Sequence, residues 1–434
     1  GYVPVWNEEQ SRWIPEEIET GGGHTHDGTG ADSTVVGGVA EAGATVAIAS
    51  GNESVAIGDN AEASVNQSVV IGAGSTAARA ATASGNSGSV VIGWQAKSES
   101  FDNVVVGPDA RAINFGEDSV AIGSSVLVDG ALGAVCIGPE SGYVVGDFGV
   151  GIGDAVEVDG DSTVAVGPGA VGFGGNAVAL GRDAVADDIQ TIAIGRGSIA
   201  STNIDAIAMG AFALSTGQES ICIGGSAVAS NVDAISIGGF SDATGPSAVA
   251  IGGVAFATGA DAIALGYNTD ASGANSIAIG SNSTDASSAD VSGTRGIAIG
   301  NNTLTAHTDG VAIGTNAETD AADQIMLGTS SRHVKLPGGQ RHRPRTITNA
   351  DGTAAVTDFC LLFSTGNTNR TCNLPAVSGL TGQTYRIKKI DAGTGTVTID
   401  ASGAETIDDA TTRVLTAQYE AVDLICDGVE WWVV

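Results

Sequence analysis

His24 and His26 stand two apart in the stretch GGGHTHDG, residues 21–28. On an extended strand, side chains at i and i+2 point the same way. Three copies of the chain around one axis would then converge six imidazole nitrogens. That is an octahedral set suited to a transition metal such as iron or nickel. A solvated glycine-rich linker is the other reading of the stretch. The remaining histidines, His307, His333 and His342, fall in no nucleophile–base–acid pattern. Carboxylates recur in Asp159-Gly160-Asp161 and Asp187-Asp188. Stacked turns could place such acids at glycosidase separations of about 5–10 Å. Nothing in the sequence singles out one pair, and neither a GGxGxD calcium repeat nor a P-loop occurs. Cys136, Cys222, Cys360, Cys372 and Cys426 are odd in number, irregular in spacing and without a CxxC pair. They indicate neither a disulfide framework nor a zinc site. The expectation is a protein that is not an enzyme.

The surroundings of these residues explain the lack of chemistry. A glycine closes an "xAIG"-like phrase nineteen times between Gly58 and Gly328, mostly at steps of 14 residues. A period this regular signals a repeat architecture. In Ser54-Val55-Ala56-Ile57-Gly58 the apolar residues alternate with period two, which is strand periodicity. Gly58 permits a turn that other residues resist. The second half of each repeat, as in Ala61-Glu62-Ala63 or Ala255-Phe256-Ala257, alternates again and ends in turn residues. One repeat therefore holds two short strands and two turns. Stacked coils bury what one coil cannot, and 19 parallel strands would extend on the order of 90 Å. The large β-branched residues are expected inside, and the small alanines on an outer wall that a neighbouring chain covers. Cys136 and Cys222 occupy the alanine slot, so both read as structural thiols.

Charge divides the chain. The 434 residues carry a formal net charge of −32. Such a surface repels nucleic acid and anionic membranes. Of the 17 basic residues, 8 lie in residues 340–434, against 11 of the 49 acidic ones, which marks a boundary near 340. No basic start followed by an apolar run appears, so no signal peptide is expected. No apolar run reaches membrane-spanning length, so no membrane insertion is expected either.

The phrases SVAIGDNAEAS, NSIAIGSNS and DGVAIGTNAETD resemble the head repeats of trimeric autotransporter adhesins, which also recur in bacteriophage tail fibres. The resemblance runs roughly from Gly51 to Gly328. It implies a left-handed parallel β-roll, three of which pack as a homotrimer. The ends separate the two uses. No heptad stalk and no run of barrel strands is visible. The segment GYVPVWNEEQSRWIP is expected to form a small hairpin, similar to the segments that attach fibres to a virion. His-Thr-His-Asp-Gly is similar to collar-like segments of phage fibres. DQIMLGTSSRHVKLPGG (323–339) resembles the exit segment that closes such rolls, and the basic RHRPR (341–345) reads as a solvated junction or an anion contact.

From Thr346 onward the chain resembles the C-terminal domain of many phage tail fibres and tail spikes. That implies a small antiparallel β-domain, with a hairpin turn at Asp427-Gly428. Trp431 and Trp432 must point to opposite faces. Trp431, Trp432 and Tyr419 are the weak candidates for receptor contact. Two long steps, at 75–86 and 281–293, add six or seven residues that must leave the roll as loops.

The expected organisation is an N-terminal attachment segment (1–23), a collar-like transition (24–49), a β-roll shaft (50–339) and a C-terminal β knob (340–434). The expected fold is all-β. The expected role is a virion fibre, a homotrimeric phage tail fibre for host attachment. It would meet a tail or capsid protein at its N-terminus and a host-surface glycan or protein elsewhere. The alternatives are a capsid-decorating fibre, a head fragment of a bacterial autotransporter adhesin and, less well supported, a depolymerase spike.

Overall fold

The computed structural model describes the backbone of residues 2–7 and 12–17, and residues 28–36, 46–74, 80–85, 87–202, 204–280, 289–329 and 342–434. It divides into two compact units, Gly1–Val334 and Lys335–Val434. At the N-terminus, Tyr2–Asn7 and Arg12–Glu17 form the expected antiparallel hairpin, with Trp6 opposite Trp13.

The repeats form a parallel β-solenoid with two ladders. Three-residue strands such as Val178–Leu180 and Ile192–Ile194 stack in register in one ladder. Two-residue strands such as Val185–Ala186 and Ile199–Ala200 stack in the other. The ladders are open rather than closed, because the terminal strands Thr34–Val36 and Ile325–Leu327 each pair on one side. The first ladder already begins at Thr34–Val36, within the segment read as a transition. Both long steps leave the ladders intact: Val69–Ile71 pairs with Val90–Ile92, and Ile277–Ile279 with Ile297–Ile299. Most of the extra residues lie outside the described ones.

The facing of the strands is the reverse of the expected one. Ala56, Ala63, Ala179, Ala186 and Ala193 are fully buried, whereas Val55 and Ile57 flank Ala56 on the outward face. The reason is steric. A 14-residue coil has two strand segments so close that one small side chain from each wall fills the gap. Where the sequence enlarges one wall, it shrinks the other. Val144 and Val156 are buried, and a Cβ added to Gly151 opposite them would lie 3.0 Å from Val144 and 3.2 Å from Val156. Interiors tolerate little excess volume, so isoleucine has no place inside.

The turns complete each coil. The closing glycine at 195 has φ +135°, and a Cβ there would collide with the carbonyl oxygen of Gly210 in the next coil. Among the described residues, the turns repeatedly place a residue in the left-handed region, Asn60 and Gln67 being one coil's pair. Where a Ser or Thr precedes the phrase it is buried, and several of these close the turn behind them. Ser54, Ser68 and Ser220 donate to the carbonyls of Gly51, Val65 and Gly217 at 2.6, 2.7 and 2.6 Å. A buried hydroxyl needs such a partner.

The C-terminal unit is mixed rather than antiparallel. Its five-stranded sheet runs Arg345–Thr348, Cys360–Ser364, Thr384–Lys389, Ala421–Cys426, Trp431–Val433. The first two pairings are parallel and the last two antiparallel. A four-stranded sheet, Gly352–Thr353, Arg370–Asn373, Val397–Asp400, Thr412–Leu415, is likewise parallel until its last pairing. Up to Val397–Asp400, successive strands alternate between the two sheets, so this part of the chain coils and equivalent strands run parallel. The chain reverses direction only from Thr412 onward. Leu361, Phe363, Tyr385, Ile387, Ile399 and Trp431 form the shared core.

Candidate functional site

The outward face of the three-residue ladder is the largest unusual surface. Its two columns run Val55/Ile57, Val69/Ile71 and onward to Ile325/Leu327, and every position is Val, Ile, Leu or Met. Several are well exposed, among them Leu265 at 42% and Ile325 at 68%. The strip spans on the order of 90 Å at the strand spacing of a parallel sheet. Soluble monomers seldom leave so long an apolar surface uncovered. The other ladder differs. Its outward column holds Glu62, Lys97, Arg111, Glu157, Asp242, Asp270 and Asp290 among apolar residues. Asp270 and Asp290 are register neighbours. Burial raises both carboxyl pKa values, and the charge of Asp270 raises Asp290 further.

The turn carboxylates serve the backbone. Asp147 Oδ1 accepts from Leu132 N at 2.8 Å, and Asp161 Oδ1 from Asp147 N at 2.9 Å. Asp188 Oδ1 accepts from Ile189 N at 2.7 Å. Among the described residues, no group of three His, Cys, Asp or Glu side chains could hold a metal ion. His24 and His26 lie outside the described residues, as does His333. His307 is half-buried in its turn. Cys136 and Cys222 are fully buried, and burial pushes each thiol up to about 11, as suits an inert packing residue.

In the C-terminal unit, the basic run is partly built in. Arg345 pairs with Asp358 at 2.7 Å and donates to the Thr353 carbonyl, while His342 stacks on Phe359. Trp431 and Trp432 do point oppositely. Trp431 is fully buried against Tyr385, which removes it from any receptor surface. Trp432 is 39% exposed and donates Nε1–H to Asp427 Oδ2 at 2.8 Å. Asp427 Oδ1 also accepts from Val429 N and Glu430 N, closing the turn between the last two strands. Tyr419 is 63% exposed at φ +66°, with Lys388 Nζ 5.6 Å from its ring.

Two features escaped the sequence reading. Lys389 is wholly buried, donating to Asp391 Oδ1 at 2.8 Å and to the carbonyls of Asp391 and Gly393. Its place in the alternation of Thr384–Lys389 put it inward, but a charge suggested the surface. The other is a set of exposed aromatic rings on one turn, noticeable only once the coils are stacked.

Comparison with known proteins places the repeats. A family model described as the YadA head domain repeat (2 copies) matches residues 49–75, 174–198, 215–241, 229–255, 257–283 and 292–317. No curated protein matches the chain. Among solved structures, the crystal structure of the collagen-binding domain of the Yersinia adhesin YadA matches at 16% identity, over 58% of this chain and 78% of that one, with a TM-score of 0.14. In those six stretches of the solenoid, the chain is thus similar to an adhesin head repeat.

Proposed function

We propose that the chain is a homotrimeric adhesive fibre whose role is mechanical display and attachment to a host surface, with no chemical step. The observation that carries this reading is the unbroken apolar face of Val, Ile, Leu and Met. Copies of the same chain, arranged around an axis parallel to the ladders, cover it with an identical face at every level. The match to an adhesin head repeat supports three copies, and three copies multiply a weak contact by avidity. The collagen binding of the Yersinia domain belongs to that protein. A host-surface ligand of protein or glycan type is part of the proposal made here.

The finer reading is a phage tail fibre, attached to a tail or capsid protein through the N-terminal hairpin. It draws on the resemblance of the C-terminal segment to phage fibre termini. An autotransporter adhesin head is supported equally by the repeats. A metal ion on the trimer axis at His24 and His26 belongs to the same proposal. Sedimentation of the whole chain tests the core of it. A trimer is expected, and paired Ile221→Asp and Ile223→Asp substitutions are expected to give monomers. A monomeric wild type would refute the reading. Immunogold labelling of virions against bacterial surfaces separates the two finer readings, and metal analysis with His24→Ala tests the axial ion.

A further inference from the structure

The first turn of each coil follows the closing glycine. From Arg182 to Asn268 it reads Arg182-Asp183, Arg196-Gly197, Ala211-Phe212, Gly225-Ser226, Gly239-Phe240, Gly253-Val254, Tyr267-Asn268. Phe212, Phe240 and Tyr267 are 52%, 67% and 46% exposed. Phe212 and Phe240 sit at φ +59° and +56°, a left-handed position that bulky residues avoid. Asn and Asp fill the equivalent position in many other coils. Val254 holds the same position at φ +57°, so the left-handed turn belongs to the repeat, and what sets this edge apart is its exposed rings.

The turn backbone is rigid. Phe212 N donates to Arg196 O, Phe240 N to Gly225 O and Asn268 N to Gly253 O, each at 2.9 Å. Glycines seat the rings: a Cβ on Gly197 would meet Phe212, and one on Gly253 would meet Tyr267. Parallel stacking sets Phe212 and Phe240 at one turn position two coils apart, about 10 Å, and Tyr267 two coils further on, one position earlier in its turn. A β-linked pyranose chain repeats at a similar distance per disaccharide, presenting the apolar C–H face of a sugar at each repeat.

Charge marks the same edge. Asp183 is its one acid, and Arg182 lies 3.6 Å from it. The Arg196 guanidinium lies 4.7 Å over the Phe212 ring, and among the described residues it makes no ion pair. The second turn of these coils instead carries Asp188, Asp205, Glu219, Asp233 and Asp261. That edge lies across the coil, roughly 15–20 Å away by strand dimensions, beyond the screening length of about 8 Å at physiological salt.

We propose that the turn edge from Arg196 to Tyr267 binds a linear acidic polysaccharide, with sugar faces on Phe212, Phe240 and Tyr267 and a uronate carboxylate on Arg196. Guanidinium and carboxylate match in geometry and charge. A second copy of the chain fits less well. In the proposed trimer, protomer contacts would run the length of the solenoid, yet elsewhere this turn reads Asp59-Asn60, Pro108-Asp109 or Asn301-Asn302, with Trp94 its one ring. The proposal deepens the adhesive reading and rests on it for its biological meaning.

Titration calorimetry of the full chain with a hyaluronan hexasaccharide at physiological salt tests the site. Saturable binding is expected, weakened about tenfold or more in Phe212→Asn/Phe240→Asn. Asparagine suits the left-handed turn, so thermal unfolding should be undiminished. Arg196→Gln should weaken the hyaluronan hexamer and leave binding of neutral chitohexaose unchanged. No saturable binding by the wild type would overturn the proposal. So would undiminished binding by the double variant, or chitohexaose bound as tightly as hyaluronan. Dissociation of the double variant into monomers would assign the rings to protomer contacts and also overturn it. A wild type that binds the hexamer but sediments as a monomer would leave the site standing and refute the trimer alone.

Discussion

The solenoid and the C-terminal unit bury their side chains by opposite means. Inside the solenoid the buried residues are mainly Ala, with Ser, Thr and a few Val and Cys, while Val and Ile face out. In the C-terminal unit the largest buried side chains are Trp431, Tyr385 and Phe363. Both are parallel coils at the start, so the difference is one of girth. The narrow coil gains its stability from backbone ladders and from whatever covers its outer face. The wider unit encloses a core of its own. One therefore has no room for added volume, and the other cannot spare any.

The sharpest test of that contrast is Trp431→Ala. It removes a fully buried indole packed 5.2 Å from the Tyr385 ring. The expected loss is about 3–5 kcal/mol, read as a shift in the urea midpoint of the C-terminal unit. A loss under about 1 kcal/mol would mean that this core is not close-packed. The complementary change is Ala193→Leu in the solenoid. Overpacking there should cost about 1–3 kcal/mol or more, seen as a lower melting temperature. A neutral result would refute the account of the alanine interior.

How much of this was legible in the sequence follows from the same contrast. Strand periodicity, the 14-residue coil and the glycine turn were readable from Ser54–Gly58, because alternation and glycine are local signals. Which face turned inward was not. Val-Ala-Ile alternates equally well either way, and the usual preference for burying isoleucine pointed to the wrong side. Only the distance between the two walls decides it, and that distance is a property of the closed coil. The C-terminal unit failed in another way. Its alternation was plain in Thr384–Lys389, but alternation does not distinguish parallel from antiparallel partners. Trp431 and Trp432 were separable because adjacent strand residues must diverge. The turn aromatics were invisible, since residues 212, 240 and 267 become neighbours only through stacking.

Buried charge extends the comparison. In the C-terminal unit Asp391 is held well below the usual carboxylate range, first by the Lys389 ammonium and also by the backbone N–H of Gly366. A depressed folded pKa adds stability above the unfolded value of about 4, and that stability is lost as pH falls below it. Lys389→Met leaves Asp391 without its cation and should cost about 1–3 kcal/mol at neutral pH. That is less than for a wholly desolvated pair, because the Asp391 side chain is 21% exposed. The variant should also lose much of the acid sensitivity of this unit. An unchanged acid unfolding curve would show that the pair is not what ties this unit to pH.

The smallest effect is expected where the solenoid does the reverse. Asp270 and Asp290 are in register, so two carboxylates face each other across one strand spacing. Burial raises both, and Asp270 Oδ1 is buried without a hydrogen-bond partner among the described residues. A raised folded pKa means that the folded state binds its proton more readily than the unfolded chain. The pair therefore destabilises the coil at neutral pH, and that penalty is relieved as pH falls through the folded pKa. Asp270→Asn should stabilise the solenoid by about 0.2–1 kcal/mol at pH 7, the range for like charges directly opposite in a sheet. The gain should shrink as pH falls toward the carboxylate range. Thermal melts of wild type and variant across that range measure the difference directly, and a gain independent of pH would point to packing rather than charge. The solenoid ladder and the C-terminal unit would then respond to acid with opposite signs at Asp270 and Asp391, as expected when one site stacks like charges and the other buries a cation beside its carboxylate.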